Sequence, residues 1–118
     1  MRRVMIVDDS PFIHKAIQKA LNTSGEYEVC GIAKNGKEGY ELYDSLLPDI
    51  VFMDITMPVM DGLDASKEII KRHPEAKIVM LSAMGDDELI LKAKEIGITA
   101  FAQKPFKADE MLAIINKI

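Results

Sequence analysis

Four short stretches of this sequence carry residues that could do chemistry together: Asp8-Asp9, Asp54, Ser82 and Lys104. Each follows a short, mainly apolar run: Val4-Met5-Ile6-Val7, Ile50-Val51-Phe52-Met53, Ile78-Val79-Met80-Leu81 and Ala100-Phe101-Ala102-Gln103. Carboxylates gathered in one place repel, and two unit charges about 4 Å apart cost roughly 4 kcal/mol at a surface-like effective dielectric. Such a cluster persists when a cation neutralises it. Hard oxygen ligands without His or Cys favour Mg²⁺ over zinc, and Mg²⁺ commonly binds few carboxylates together with phosphate oxygens. Lys104 would add a second positive group from the opposite side. Three carboxylates balanced in this way leave a site prepared for an incoming phosphoryl group.

The elements that must position these residues are legible from the apolar pattern. Val4–Val7 is a continuous apolar run, as expected of a parallel strand buried on both faces. Ser10-Pro11 then offers an N-cap with proline at the first helical position. Ile13, Ala16, Ile17, Ala20 and Leu21 continue at helical spacing, and Gly25 is the natural stop. A second strand spans Tyr27–Ala33, and Asn35 with Glu38 resembles a capping box opening a second helix that ends before Pro48. The third strand, Ile50–Met53, leads through a polar loop from Asp54 to Asp61 into a helix ending near His73-Pro74. The fourth strand is Ile78–Leu81. Asp86, Asp87 and Glu88 then place negative charge in the first turn of a helix closed by Gly97, where the macrodipole favours it. A short strand at Ala100–Gln103 and a last helix striped by Met111, Leu112, Ile115 and Ile118 complete the chain. Strands alternating with helices imply an α/β fold: a parallel sheet with helices on both faces, doubly wound, in one domain over residues 1–118. In such sheets the loops after the strands share one edge, and ligands bind where the strand order reverses.

The ordered signatures Val7-Asp8-Asp9-Ser10, Met53-Asp54-Ile55-Thr56-Met57-Pro58, Asp61-Gly62, Leu81-Ser82-Ala83 and Lys104-Pro105-Phe106 together resemble the bacterial response-regulator receivers of two-component systems. Acidic pairs and Lys-Pro are common singly; all five in order, after the right strands, are specific. The resemblance covers essentially the whole chain. It implies a flavodoxin-like three-layer sandwich, (βα)₅, with five parallel strands in the order 2-1-3-4-5. Flavodoxin and the chemotaxis receiver are the known examples of that order, which comes with the resemblance and not from periodicity.

The resemblance also implies roles. Asp54 would be the phosphoacceptor, taking phosphate from a phosphohistidine on a sensor histidine kinase or histidine phosphotransfer domain. Asp8, Asp9, Asp54 and the backbone carbonyl of Thr56 would hold Mg²⁺. Lys104 would pair with one phosphoryl oxygen and the Ser82 hydroxyl would bond another. The Lys104-Pro105 peptide is a candidate for the cis form. Ser82 and Phe101 match the pair that couples phosphorylation to a movable surface, so the fourth helix, fifth strand and fifth helix would form the output face for a downstream effector, or for a weak dimer. Slow self-dephosphorylation would follow, with Thr56 and Met84 bordering the water's approach and apolar Met84 hindering it. The module would be a stand-alone regulator or the receiver of a longer one.

Composition fits this reading and excludes others. Over 118 residues, 48% are hydrophobic and 29% charged, enough for one core and an ordinary polar surface. A net charge of −4 argues against direct nucleic-acid binding, which favours a basic face. The lone Cys30 has no intrachain partner, lies in an apolar run and reads as a small core residue in a reducing compartment. The N-terminus lacks the pattern of a secretory signal and no stretch suits a bilayer, so a cytoplasmic protein is expected. His14, off the helical stripe as drawn, and His73 read as surface residues, while Leu91 and Ile114 read as apolar residues off the stripes. Two rival functions fit these residues less well. A Mg²⁺-dependent phosphohydrolase with an aspartate nucleophile would carry a second acid two residues on, where Thr56 stands. A flavodoxin-like electron carrier would cradle a phosphate in its first loop, where Asp8-Asp9 would repel it without a metal, and no Gly-rich dinucleotide loop is present.

Overall fold

The computed structural model describes residues 1–118. Ten elements alternate along the chain: β1 (Arg2–Val7), α1 (Pro11–Ser24), β2 (Tyr27–Ala33), α2 (Gly36–Leu46), β3 (Ile50–Asp54), α3 (Gly62–Arg72), β4 (Ile78–Ser82), α4 (Asp87–Glu95), β5 (Ala100–Gln103) and α5 (Ala108–Ile115). All strand pairs are parallel and the sheet order is β2-β1-β3-β4-β5, the doubly wound flavodoxin-like order. The strands read from the sequence are recovered, with β1 starting earlier and β3 and β4 each reaching one residue further, to Asp54 and Ser82.

The continuous apolar runs are explained by two cores, one on each face of the sheet. Val4, Ile6, Phe52, Val79 and Leu81 point to one face and pack with Ile17 and Leu21 of α1 and Met111 and Ile115 of α5. Their neighbours Met5, Val7, Val51, Met53 and Met80 point to the other and pack with Tyr43 of α2 and Leu63 and Ile69 of α3. Each fully buried large side chain contributes about 1.5–3 kcal/mol, so the central strands are the most firmly held part of the molecule.

Strand β2 lies at the sheet edge and carries a bulge. Val4 pairs with Val29 but Met5 with Gly31, leaving Cys30 as the extra residue. The bulge shifts the alternation: Tyr27 and Val29 face the α1–α5 side, whereas Ala33, of the same parity, faces the α2–α3 side together with Cys30. A side chain at Gly31 would meet Leu46 Cδ1 at 2.5 Å, so glycine there lets α2 lie close on the strand. Cys30 is half-buried, short of the full core position expected for it, because an edge strand has sheet on only one side. Burial raises its thiol pKa.

The helix starts follow the capping residues. The Ile13 N–H donates to Ser10 Oγ, the Glu38 N–H to Asn35 Oδ1 at 2.9 Å, and the Asp64 N–H to Asp61 Oδ1 at 2.8 Å. At Asn35 the expected capping box closes differently: Asn35 Nδ2 donates to the Glu38 carboxylate at 2.7 Å. Gly25 ends α1 at φ +71°, a left-handed conformation that glycine adopts without strain. Leu91 is exposed as expected, whereas Ile114 packs partly against the α1–α5 core. No helix is long and apolar enough to cross a membrane.

Candidate acidic site at the sheet's C-terminal edge

The four chemical stretches converge where the sequence places them, at the carboxyl ends of β1, β3, β4 and β5. Ligand oxygens of Asp8, Asp9 and Asp54 lie within 4.8 Å of one another. Asp8 is 0% and Asp54 7% exposed, while Asp9 faces solvent. Lys104 reaches in from the end of β5. Its Nζ donates to Asp8 Oδ2 at 2.9 Å and sits 3.3 Å from Asp54 Oδ1.

The backbone holds this arrangement closely. The Ser10 N–H donates to Asp8 Oδ1 at 2.9 Å, and the Asp8 N–H continues the sheet ladder to the Ala33 carbonyl at 3.0 Å. The Lys104 N–H donates to the Ser82 carbonyl at 2.7 Å, tying the ends of β4 and β5 together. Ser82 closes β4 at 3% exposure, and the Lys104-Pro105 peptide is cis. Beyond Asp54 the Thr56 N–H reaches Asp54 Oδ1 at 3.5 Å.

The Asp61-Gly62 pair has its own geometric reason. The Gly62 N–H donates to the Ile55 carbonyl, and a Cβ at Gly62 would stand 1.8 Å from the Asp54 carbonyl oxygen. Only glycine lets α3 begin against the backbone of Asp54. In the intervening loop Val59 has φ +69°, and the Met60 N–H donates to the Pro58 carbonyl at 2.8 Å. A β-branched residue in that region is strained.

Charge in the pocket is out of balance: three carboxylates face one ammonium. Burial, then the neighbouring Asp8 charge, push the Asp54 carboxyl above its ordinary value, and Lys104 offsets only part of this. Burial acts to lower the Lys104 pKa, but the hydrogen bond to Asp8 and the charge of Asp54 outweigh it and leave the ammonium above a free lysine. The donor set is all oxygen, clustered and electron-rich, which fits a hard divalent cation and not a soft one.

One expectation is corrected. His14 is not a surface residue: it is 8% exposed, with Nε2 2.5 Å from the Asp8 carbonyl oxygen. Its positions relative to Ile17 and Leu21 are i, i+3 and i+7, the core face of α1, and that spacing was the available signal. Phe101 lies half-buried on β5 with Lys94 Nζ 5.9 Å from its ring centroid. Met84 is 88% exposed on the loop after β4, Phe12 is exposed in the first turn of α1, and Val59 is exposed on the loop after β3.

A doubly wound sheet with an acidic pocket at its switch point is the architecture of a receiver module. The model of the response regulator receiver domain matches residues 4–116, and the chain belongs to that family. It is similar to the chemotaxis protein CheY of Thermotoga maritima, at 45% identity over 99% of this chain and 97% of that protein. The CheY of Bacillus subtilis is 44% identical over 98% and 95% of the two chains. Among solved structures, the CheX–CheY–BeF₃–Mg²⁺ complex of Borrelia burgdorferi matches with a TM-score of 0.91 at 31% identity, over 98% of this chain and 87% of that one. The chain is thus a CheY-like receiver of two-component signalling, and receivers of this family use Mg²⁺ at an acidic pocket.

Proposed function

We propose that residues 1–118 form one receiver domain that accepts a phosphoryl group on Asp54 and relays this event as a change of surface. The observation that carries the proposal is the convergence of Asp8, Asp9, Asp54 and Lys104 on one half-buried crevice whose negative charge exceeds its positive charge. Asp8, Asp9, Asp54 and the Thr56 carbonyl are the residues that would hold Mg²⁺. When bound, the ion supplies the positive charge that lets an anionic phosphoryl group approach three carboxylates.

In the reaction an Asp54 carboxylate oxygen attacks phosphorus. The phosphorus–nitrogen bond of a phosphohistidine breaks, its electron pair leaves on the imidazole, and an acyl phosphate forms. Lys104 releases its contact with Asp54 to meet a phosphoryl oxygen as a charge-assisted donor. Ser82 offers its hydroxyl to another. The donor is a sensor histidine kinase or a histidine phosphotransfer domain. Drawing Ser82 inward favours a second position of Phe101, and α4, β5 and α5 then present a changed face to an effector or a second copy. The module catalyses only its own phosphorylation and slow dephosphorylation, with Thr56 and Met84 bordering the water's path, and it acts in the cytoplasm. The CheX–CheY complex, whose name records BeF₃ and Mg²⁺, is a precedent for such a partner-binding state in a relative.

Amide hydrogen exchange with and without beryllofluoride and Mg²⁺ tests both halves of the proposal. Exchange should slow in the loop after Asp54 and change across residues 83–118. An unchanged loop would refute the phosphoacceptor; a changed loop with an unchanged 83–118 would refute the output face.

A further inference from the structure

We infer that His14 is the positioning residue of the Asp8-Asp9 pair: its ring holds the peptide plane that joins the two carboxylates. The inference rests on the reading of that pair as a Mg²⁺ site. His14 stands in the first turn of α1 and is nearly fully buried. Its Nε2 meets the carbonyl oxygen of Asp8, at the point where β1 has ended and no strand partner follows. A carbonyl oxygen only accepts, so Nε2 carries the proton and donates. The neutral Nε2–H tautomer and the imidazolium both do so, and the contact is therefore independent of the ring's charge.

The consequence follows from peptide geometry. The carbonyl of Asp8 and the N and Cα of Asp9 lie in one plane about a bond that does not rotate freely. Fixing that oxygen fixes where the Asp9 backbone starts. Asp8 is already held by the Ala33 carbonyl at its N–H, by the Ser10 N–H at Oδ1 and by Lys104 at Oδ2. The Ser10 contact closes a turn through the Asp8–Asp9 peptide but does not engage its carbonyl oxygen, and His14 holds that oxygen. Asp9 is exposed, on the solvent side of the pocket, so its approach to the other two carboxylates depends on its backbone. His14 itself is anchored through the Ser10 cap, with its N–H donating to the Ser10 carbonyl at 3.2 Å. The helix cap and the acidic pair thus form one rigid corner.

The test is a Mg²⁺ titration of the ¹⁵N-labelled protein, followed at the amides of Asp9 and Thr56, with thermal unfolding measured without metal. His14→Leu keeps the volume and loses the donor; His14→Gln keeps a donor of similar reach. Loss of a group that orients a ligand typically costs 10-fold or more in metal affinity, so His14→Leu should weaken Mg²⁺ about 10-fold while His14→Gln stays within about 2-fold of wild type. Both variants are expected to lose stability, so stability alone does not separate the roles; the affinity difference between them does. Equal Mg²⁺ affinity in wild type and His14→Leu would overturn the inference. A wild type that binds no Mg²⁺ would instead refute the receiver reading itself. If His14→Leu does not fold, the wild-type ring decides. A protonated Nε2 whose resonance moves with the same Mg²⁺ midpoint as the Asp9 amide supports the role. An Nδ1–H tautomer, or a ring blind to Mg²⁺, refutes it.

Discussion

Two charged clusters in this molecule use the same residue types to opposite ends. At the carboxyl edge of the sheet, Asp8, Asp9 and Asp54 face Lys104 in a half-buried crevice. On the helical surface, Arg72 of α3 bridges Asp44 of α2 and Glu68 of its own helix, and His73 Nε2 lies 2.8 Å from Asp44 Oδ1. The second cluster lies at the surface, and each of its two carboxylates has a side-chain hydrogen-bond donor. Arg72 also lies over the Tyr40 ring, and His73 stacks obliquely on Tyr43, so charge and packing join α2 to α3. There the hydrogen bond from His73, followed by Arg72, holds the Asp44 carboxyl below its ordinary value. In the crevice, burial pushes the Asp54 carboxyl above it. A solvated cluster whose carboxylates all have donors fastens elements together. An unbalanced, desolvated one waits for something positive, and that difference marks the functional site.

The sharpest break comes at the backbone beneath the pocket. Gly62→Ala puts a methyl group into the Asp54 carbonyl, so α3 must move. It should cost about 3 kcal/mol in urea unfolding and distort the acceptor together with the fold. A smaller and opposite effect is expected inside the crevice. Asp54→Asn removes one of three mutually repelling carboxylates and should stabilise the metal-free protein by on the order of 1 kcal/mol near neutral pH.

The pH dependences of the two clusters have opposite signs. Asp54 has a raised folded pKa, so its neutral form favours the fold: that stability is fully present below the ordinary value of 3.8 and lost as pH rises through the higher folded value. Asp44 has a depressed pKa, so its contribution is present above 3.8 and lost as pH falls through the lower folded value. Unfolding free energies of Asp54→Asn and Asp44→Asn, measured from neutral to acid pH, should therefore depart from wild type in opposite directions at neutral pH, Asp54→Asn above it and Asp44→Asn below, and converge on it in acid. For Asp44→Asn the loss at neutral pH stays below about 1 kcal/mol, because its partners are solvated and screened. Parallel curves would remove the distinction between the clusters. The smallest effect is expected at Lys94→Ala, which removes a long cation–π contact to Phe101 and should cost roughly 0.5 kcal/mol.

Much of this was legible in the sequence because the chemistry sits where apolar runs stop. Val4–Val7 and Ile50–Met53 specify buried parallel strands, and the residues after them fall on one edge by topology alone. Ser10 and Asn35 announce their helices through local capping. The features that escaped depend on contacts distant in sequence or on backbone approach. Nothing near Asp44 points to Arg72, 28 residues on. Gly62 reads as a turn residue until its Cβ is placed against Asp54. Cys30 looks like one more apolar strand position, although it is the bulge that reverses the alternation of β2. His14 escaped for another reason: a polar ring on the core face of α1 is easily assigned to solvent when the stripe is drawn through its apolar neighbours.

The central claim is that Asp54, in a pocket completed by Mg²⁺, accepts a phosphoryl group. Intact mass after incubation with acetyl phosphate tests it directly. The wild-type protein with Mg²⁺ should gain one phosphoryl group, lost on chelation of the metal before the donor is added and absent in Asp54→Asn. An adduct of equal yield in Asp54→Asn, or none in the wild type under conditions that label another receiver, would contradict the account.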